Sequence, residues 1–415
     1  MTRHFWVLAH RYAGLAIAGF LLIAGLTGSL LAFYEEIDVA LNPQLHRIEE
    51  RPGQTPLDPL VLRERVERSL PGGAHLDYHP LHREPGRSAH LYGWRLVGPD
   101  GAQQLRFYEF FADPYTARVL GERERGAWVF DRAHFMPLVY QLHYALTIPY
   151  PWGMWLFGVI SFVWLIDSFV GFYLTLPRRG GGWRGWKPAW LVKWSGSAYR
   201  INFDLHRAFG LWLWAMLIVY AVSSVSLNLR EELYMPVLKK LVPTVDHHDV
   251  LPELGATPLM QANMSWEQAR ERGRALMAAH AEREGFTIER EGALMLARDH
   301  GAWYYAVRSS LDFDEDGAAT AVYFSAQDGE GRELVFEHPT IQPGNTITSW
   351  LAALHTGKVF GLPYRVFVFV IGLVVGLLSV TGVVIWWRKR RGRQEARAAI
   401  PRARAAVEPS AVEKA

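Results

Sequence analysis

Residues 10–28 read HRYAGLAIAGFLLIAGLTG, and residues 206–224 read HRAFGLWLWAMLIVYAVSS. Each opens on a His-Arg pair and runs into an apolar stretch of the length, about 20 residues, that carries a helix across a hydrocarbon core. At one constant offset Gly14 matches Gly210, Leu21 matches Leu217, Gly25 matches Ala221 and Gly28 matches Ser224. At roughly 100° per residue these positions share one helical stripe with the histidine, lined by small side chains. A second pair of segments repeats in the same way. Leu142-His143 and Leu354-His355 each stand before a proline, Pro151 and Pro363, and each later apolar run holds a glycine, Gly171 or Gly382. The glycines are one residue out of register with the histidines. Halves repeated in the same topology predict a pseudo-twofold axis along the membrane normal.

The expected fold class is therefore a membrane α-helical four-helix unit, two pseudo-twofold-related helix pairs, carrying two small α+β modules outside the membrane. Its spans are residues 12–34, 151–176, 206–229 and 354–387, the last counted with its preceding histidine segment. Ser223, Ser224 and Ser226 dilute the third. The first span is too long for a signal-peptide core of about 7–15 apolar residues and ends in Glu35-Glu36, so an uncleaved anchor is expected. Composition agrees with a membrane protein: of 415 residues, 50% are hydrophobic and only 20% charged. A net charge of +3 gives no reason to expect a nucleic-acid partner. The absence of cysteine excludes disulfides, iron–sulfur clusters, thiolate metal sites and covalently attached haem. No G-x-G-x-x-G or G-x-x-x-x-G-K-[ST] fingerprint occurs, so electrons for any redox chemistry must come from a partner or a membrane pool.

Orientation follows from the basic residues. The loop 177–205 carries Arg178, Arg179, Arg184, Lys187, Lys193 and Arg200, and the tail 388–415 begins Arg388-Lys389-Arg390-Arg391. Both belong in the cytoplasm by the positive-inside rule, as does the N-terminal segment 1–11. Segments 35–150 and 230–353 then lie outside, which in a bacterial inner membrane is the periplasm. Each contains a helix-like stretch, 58–70 or 265–284. Strand-like runs follow at 90–97 and 105–111 in the first, and at 303–307 and 322–324 in the second. Turns sit at Asp113-Pro114 and Asp328-Gly329. The tail reads as polar and unstructured.

Topology sorts the histidines. His10 and His206 stand at the cytoplasmic ends of outward-running helices, and His143 and His355 near the periplasmic ends of inward-running ones. A twofold axis brings each pair face to face. Two neutral imidazoles so placed suit the axial positions of a six-coordinate haem iron, giving two non-covalent b-type haems, one near each face. A lone interfacial histidine is usually a polar anchor, and zinc is under-coordinated by two histidines alone. Arg11 and Arg207, beside the first pair, are candidates to hold haem propionates or to serve as ordinary positive-inside charges. Asp167, inside the second span, is a candidate to pair with a basic residue or to relay protons. His134, His338 and His4 are weaker alternative ligands.

The run His10-Arg11-x-x-Gly14-Leu15, then Gly25-Leu26-Thr27-Gly28, Glu36-Ile37-Asp38 and Leu41-Asn42-Pro43, resembles the opening of the PepSY-associated transmembrane family. Leu142-His143, His206-Arg207 and Leu354-His355 with Thr381-Gly382 fit that family's other helices, so the likeness extends over about residues 4–392. The resemblance implies two periplasmic PepSY modules on a four-helix membrane unit. It also implies an inner-membrane reductase delivering electrons to ferric siderophores through histidine-bound b-type haem; the electron donor, a quinol or a cytoplasmic reductase, is left open by the sequence. Ala221 and Ser224 depart from the Gly-x-x-Gly of the first span, and no motif for a particular siderophore is present. Two alternatives stand beside this reading: a haem-free binding or regulatory protein merely anchored by its helices, and a quinol-linked haem carrier to another periplasmic acceptor.

Overall fold

The structure, a computed structural model, describes residues 2–71, 73–98, 104–178, 180–251, 259–315 and 317–407. Arg179 of the basic loop and residues 408–415 of the tail lie outside the described residues. The chain opens with α1 (Arg3–Leu31), capped by the Thr2 hydroxyl, then the short α2 (Tyr34–Leu41) and α3 (Pro43–His46). The first outer module follows: α4 (Pro59–Ser69), β1 (His75–Pro80), β2 (Ala89–Val97), β3 (Gln104–Ala112) and β4 (Val119–Glu124). Then come α5 (Phe135–Ala145), α6 (Trp152–Thr175), α7 (Gly182–Trp186), α8 (Ala198–Trp212), α9 (Trp214–Asn228) and α10 (Met235–Leu241). The second module is α11 (Trp266–Glu284), β5 (Ile288–Ala297), β6 (Ala302–Ser309), β7 (Thr320–Ser325) and β8 (Glu333–Glu337), before α12 (Pro343–Thr356) and α13 (Gly361–Val407).

Three helices, α1, α6 and the first 36 residues of α13, are individually long and apolar enough to cross a membrane. The expected unbroken third span at 206–229 is instead two helices, α8 and α9, bent by 70°. Asp204 on α8 is fully buried and accepts from Arg200 (2.7 Å) and Arg207 (2.8 Å), an arrangement that a hydrocarbon environment would penalise. α8 ends at Trp212, and α9 alone, at 15 residues, covers only about 22 Å. The same segmentation separates His143 on α5 from α6 and His355 on α12 from α13, so neither histidine lies on the long helix that follows it. The tail also differs from expectation. α13 continues helically through the basic residues to Val407, a stretch rich in good helix formers.

α1 and α13 touch backbone to backbone. A Cβ on Gly25 would stand 2.6 Å from the Gly372 carbonyl oxygen, and one on Gly372 would stand 2.5 Å from that of Gly25. Ser29 completes the seam by donating to the Phe369 carbonyl at 2.8 Å. On the other side Leu217 and Tyr220 of α9 pack with Val368, Ile371 and Val375 of α13.

The outer segments form one antiparallel sheet, in the order β4-β3-β2-β1-β5-β6-β7-β8. The expected helix–strand–turn–strand modules are present, but in each the strand directly after the helix is one that the sequence reading omitted. Those two strands, β1 and β5, pair with each other (Tyr78↔Met295, His79↔Leu294, Pro80↔Ala293) and fuse the halves. Arg298 reinforces the seam by donating to both oxygens of Asp77, at 2.7 and 2.8 Å. Leu62 and Val66 of α4 cover Leu76, Leu91 and Phe110, while Ala269, Leu276 and Met277 of α11 cover Trp303, Val322 and Phe324. The first module is tied to the helices through Arg123 on β4. Its side chain is 1% exposed and donates to both Asp38 oxygens of α2 (2.8 and 3.0 Å), to Glu109 of β3 and to the Ala133 carbonyl.

Candidate functional site

The four histidines come from four different helices, α1, α5, α8 and α12, and meet in two pairs. His10 faces His206 with ring centres 6.2 Å apart, and His143 faces His355 at 6.1 Å. These are the pairings the repeat requires. Along α1, His10 and the Ala24 carbonyl that touches His143 are separated by about 21 Å of helix, so the pairs occupy two well-separated levels.

Every ring has its Nδ1 engaged. His10 Nδ1 meets Asp167 Oδ1 at 2.9 Å, and His206 Nδ1 meets the Leu378 carbonyl and Thr381 Oγ1, both at 3.0 Å. His143 Nδ1 meets the Ala24 carbonyl (3.0 Å) and Thr27 Oγ1 (3.2 Å), and His355 Nδ1 meets Ser223 Oγ at 2.7 Å. Carbonyls and a carboxylate only accept. The hydroxyls of Thr27, Thr381 and Ser223 spend their single hydrogen on carbonyls of their own helices, those of Ile23, Leu377 and Tyr220. The Nδ1 atoms of His10, His143 and His206 therefore carry the proton and donate, which leaves their Nε2 lone pairs free to ligate, and Ser223 Oγ is placed to accept from His355 Nδ1 in the same way. No Nε2 of the four makes a hydrogen bond among the described residues.

Two imidazoles sharing one metal, with metal–nitrogen bonds of ~2 Å, have ring centres about 6 Å apart. The observed separations match. Among the described residues no group of three or more His, Asp or Glu side chains is gathered to hold a bare ion. The pairs thus suit a cofactor that brings its other metal ligands with it, and the residues present fit a haem.

Glycines back three of the rings. A Cβ on Gly171 would lie 3.4 Å from His10 Cε1, one on Gly382 3.2 Å from His206 Cε1, and one on Gly28 2.9 Å from His143 Cε1. Gly28→Val should therefore push the His143 ring out of line. On a haem reading of the pairs, haem content measured on the purified variant is expected to fall by about one per chain. Gly19→Val, at a position with no neighbour within 4 Å, should leave it unchanged.

The remaining sequence candidates separate. Arg207 is shared between Asp204 (2.8 Å) and the Pro188 carbonyl (2.6 Å), whereas Arg11 makes no hydrogen bond or ion pair among the described residues. Asp167 pairs with His10 and with no Lys or Arg among the described residues. His134 bonds Asp131 at 2.8 Å, and His338, just after β8, lies 3.4 Å from Glu284 at the end of α11, so neither joins a pair. Sequence reasoning missed the hydroxyl acceptors. Thr27 and Ser223 occupy matching positions in the two halves, one residue before the aligned Gly28 and Ser224, and that correspondence was the available signal.

No curated protein matches the chain. Residues 7–389, which include all four histidines, match the family model described as the PepSY-associated TM region, and the chain belongs to that family.

Proposed function

We propose that this membrane protein is a di-haem oxidoreductase of a bacterial inner membrane, with both termini cytoplasmic and the sheet in the periplasm. It takes electrons from a quinol or a cytoplasmic reductase and delivers them to ferric siderophores. The observation that carries this reading is the pair of facing imidazole couples, at two levels of the helices, with every Nδ1 already hydrogen-bonded. A haem bound at each level supplies a one-electron carrier. The chain's own part is to present the Nε2 atoms, to fix the tautomers through Asp167, Thr27, Ser223 and Thr381, and to offer Arg11 for a propionate. One electron converts chelated Fe³⁺ to Fe²⁺, which hard oxygen ligands hold far less tightly, and the iron is released. The basic loop and tail support the orientation.

Reoxidation tests the substrate. Purified protein reduced with dithionite and mixed with ferric hydroxamate or catecholate chelates should reoxidise rapidly and form Fe²⁺, trapped by a ferrous-specific chelator. Rapid reoxidation by Cu²⁺ or a soluble cytochrome, with none by ferric chelates, would replace iron by another periplasmic acceptor.

A further inference from the structure

Beside the His10–His206 pair the two halves differ at two positions. Four residues before the glycine that backs the ring, α13 carries Leu378 and α6 carries Asp167; one residue before it, α13 carries Thr381 and α6 carries Val170. On α13 the Leu378 carbonyl and the Thr381 hydroxyl receive the His206 Nδ1 hydrogen. On α6 that task falls to a carboxylate, with both Asp167 oxygens near His10 Nδ1, at 2.9 and 3.0 Å. His143, His206 and His355 bond only neutral acceptors. Asp167 is 8% exposed, and its one hydrogen-bonding side-chain partner among the described residues is His10. Gly14, one turn along α1 from His10, lies beside it: a Cβ there would be in ordinary contact with Oδ2, at 3.9 Å.

We propose that Asp167 is a positioning residue that holds the His10–His206 site at a lower reduction potential than the His143–His355 site. Electron flow from the cytoplasmic to the periplasmic level is then downhill. The inference rests on the two-haem reading above. Its physics is that of a fixed anion one imidazole away from the metal. A ferric centre carries one more positive charge than a ferrous one, so a buried carboxylate stabilises the oxidised form preferentially. A charge-assisted hydrogen bond also makes the imidazole a stronger donor. In the weakly polar interior little solvent screens the effect. The hydroxyl and carbonyl acceptors at the other level carry no net charge and exert no such bias.

The test is a redox titration of the purified full-length holoprotein, followed by its visible spectrum. Asp167→Asn keeps the shape and an oxygen that can accept from Nδ1 but removes the charge. It should retain two haems per chain while one midpoint rises by at least a tenfold change in the reduction equilibrium, 59 mV for a one-electron couple. Combining it with His355→Ala identifies the site, because the midpoint left in that background must be the one that moves. Unmoved midpoints, or a shift confined to the site lost with His355, would overturn the proposal. If Asp167→Asn fails to bind haem, Asp167→Leu with Val170→Thr copies the α13 arrangement into α6. That double variant should draw the two midpoints together, and midpoints that stay apart as in the native protein overturn the proposal. A native protein that binds no haem would defeat the functional reading itself, whereas two haems with unmoved midpoints defeat only this inference.

Discussion

On the proposed function, which gives the native protein two b-type haems per chain, His355→Ala is expected to leave one. The substitution removes the Nε2 that faces His143 across the 6.1 Å pair and leaves that level with one of its two imidazoles. The stronger expectation concerns combinations. His143→Ala should remove the same haem, so the double variant His143→Ala with His355→Ala loses no more than either alone. Groups that act as one unit behave non-additively. His206→Ala with His355→Ala crosses the two pairs and should leave none. Haem content by pyridine haemochrome checks each variant. Full retention of haem in the single variants, or additive loss within a pair, would contradict the pairing.

Arg123→Ala is expected to cost about 3–5 kcal/mol of stability in the outer sheet, the usual consequence of stranding buried charges by removing their partner. Asp38 is 1% exposed and Glu109 6% exposed, and the same guanidinium serves both. The measurement is thermal unfolding of the purified protein followed by near-ultraviolet circular dichroism. A change within about 0.5 kcal/mol would show that the network does not anchor the module. Acid should weaken the same joint. Burial alone raises both carboxyl groups, but hydrogen bonds from His46 and Arg123 to Asp38 more than offset it and hold that group well below the usual carboxylate range. The nearby His90 ring and Arg123 hold Glu109 down to about 2. Carboxyl groups depressed by folding stabilise fully above their unfolded pKa of about 4, and that contribution is lost as pH falls towards the folded value. Unfolding of the sheet should thus become easier below pH ~4, and less so in Arg123→Ala.

The histidine pairs were legible in the sequence because a repeat is a strong signal: two copies of His-Arg and two of Leu-His share their spacing to glycines and prolines. The partners of those histidines were less so. Asp167 stood out as a carboxyl within an apolar span, but nothing in the order of residues shows that it reaches His10 across the helix interface. Hydroxyls such as Thr27 and Ser223 look like ordinary helix residues until the fold sets them against a ring. Helix breaks were hidden for a different reason. Hydropathy averages over a window, so the bend at Leu213 between the polar α8 and the apolar α9 reads as one diluted span. The fused sheet was invisible because β1, His75–Pro80, is too polar and too short to announce itself, although it pairs with β5 at the centre of eight strands.

The most direct test is the haem-to-protein ratio of the full-length protein purified from haem-replete cells, read with its low-temperature electron paramagnetic resonance spectrum. Two low-spin b-type haems per chain, each with bis-imidazole character, is the predicted result. A colourless protein, or haem in a high-spin state with an open axial position, would contradict it.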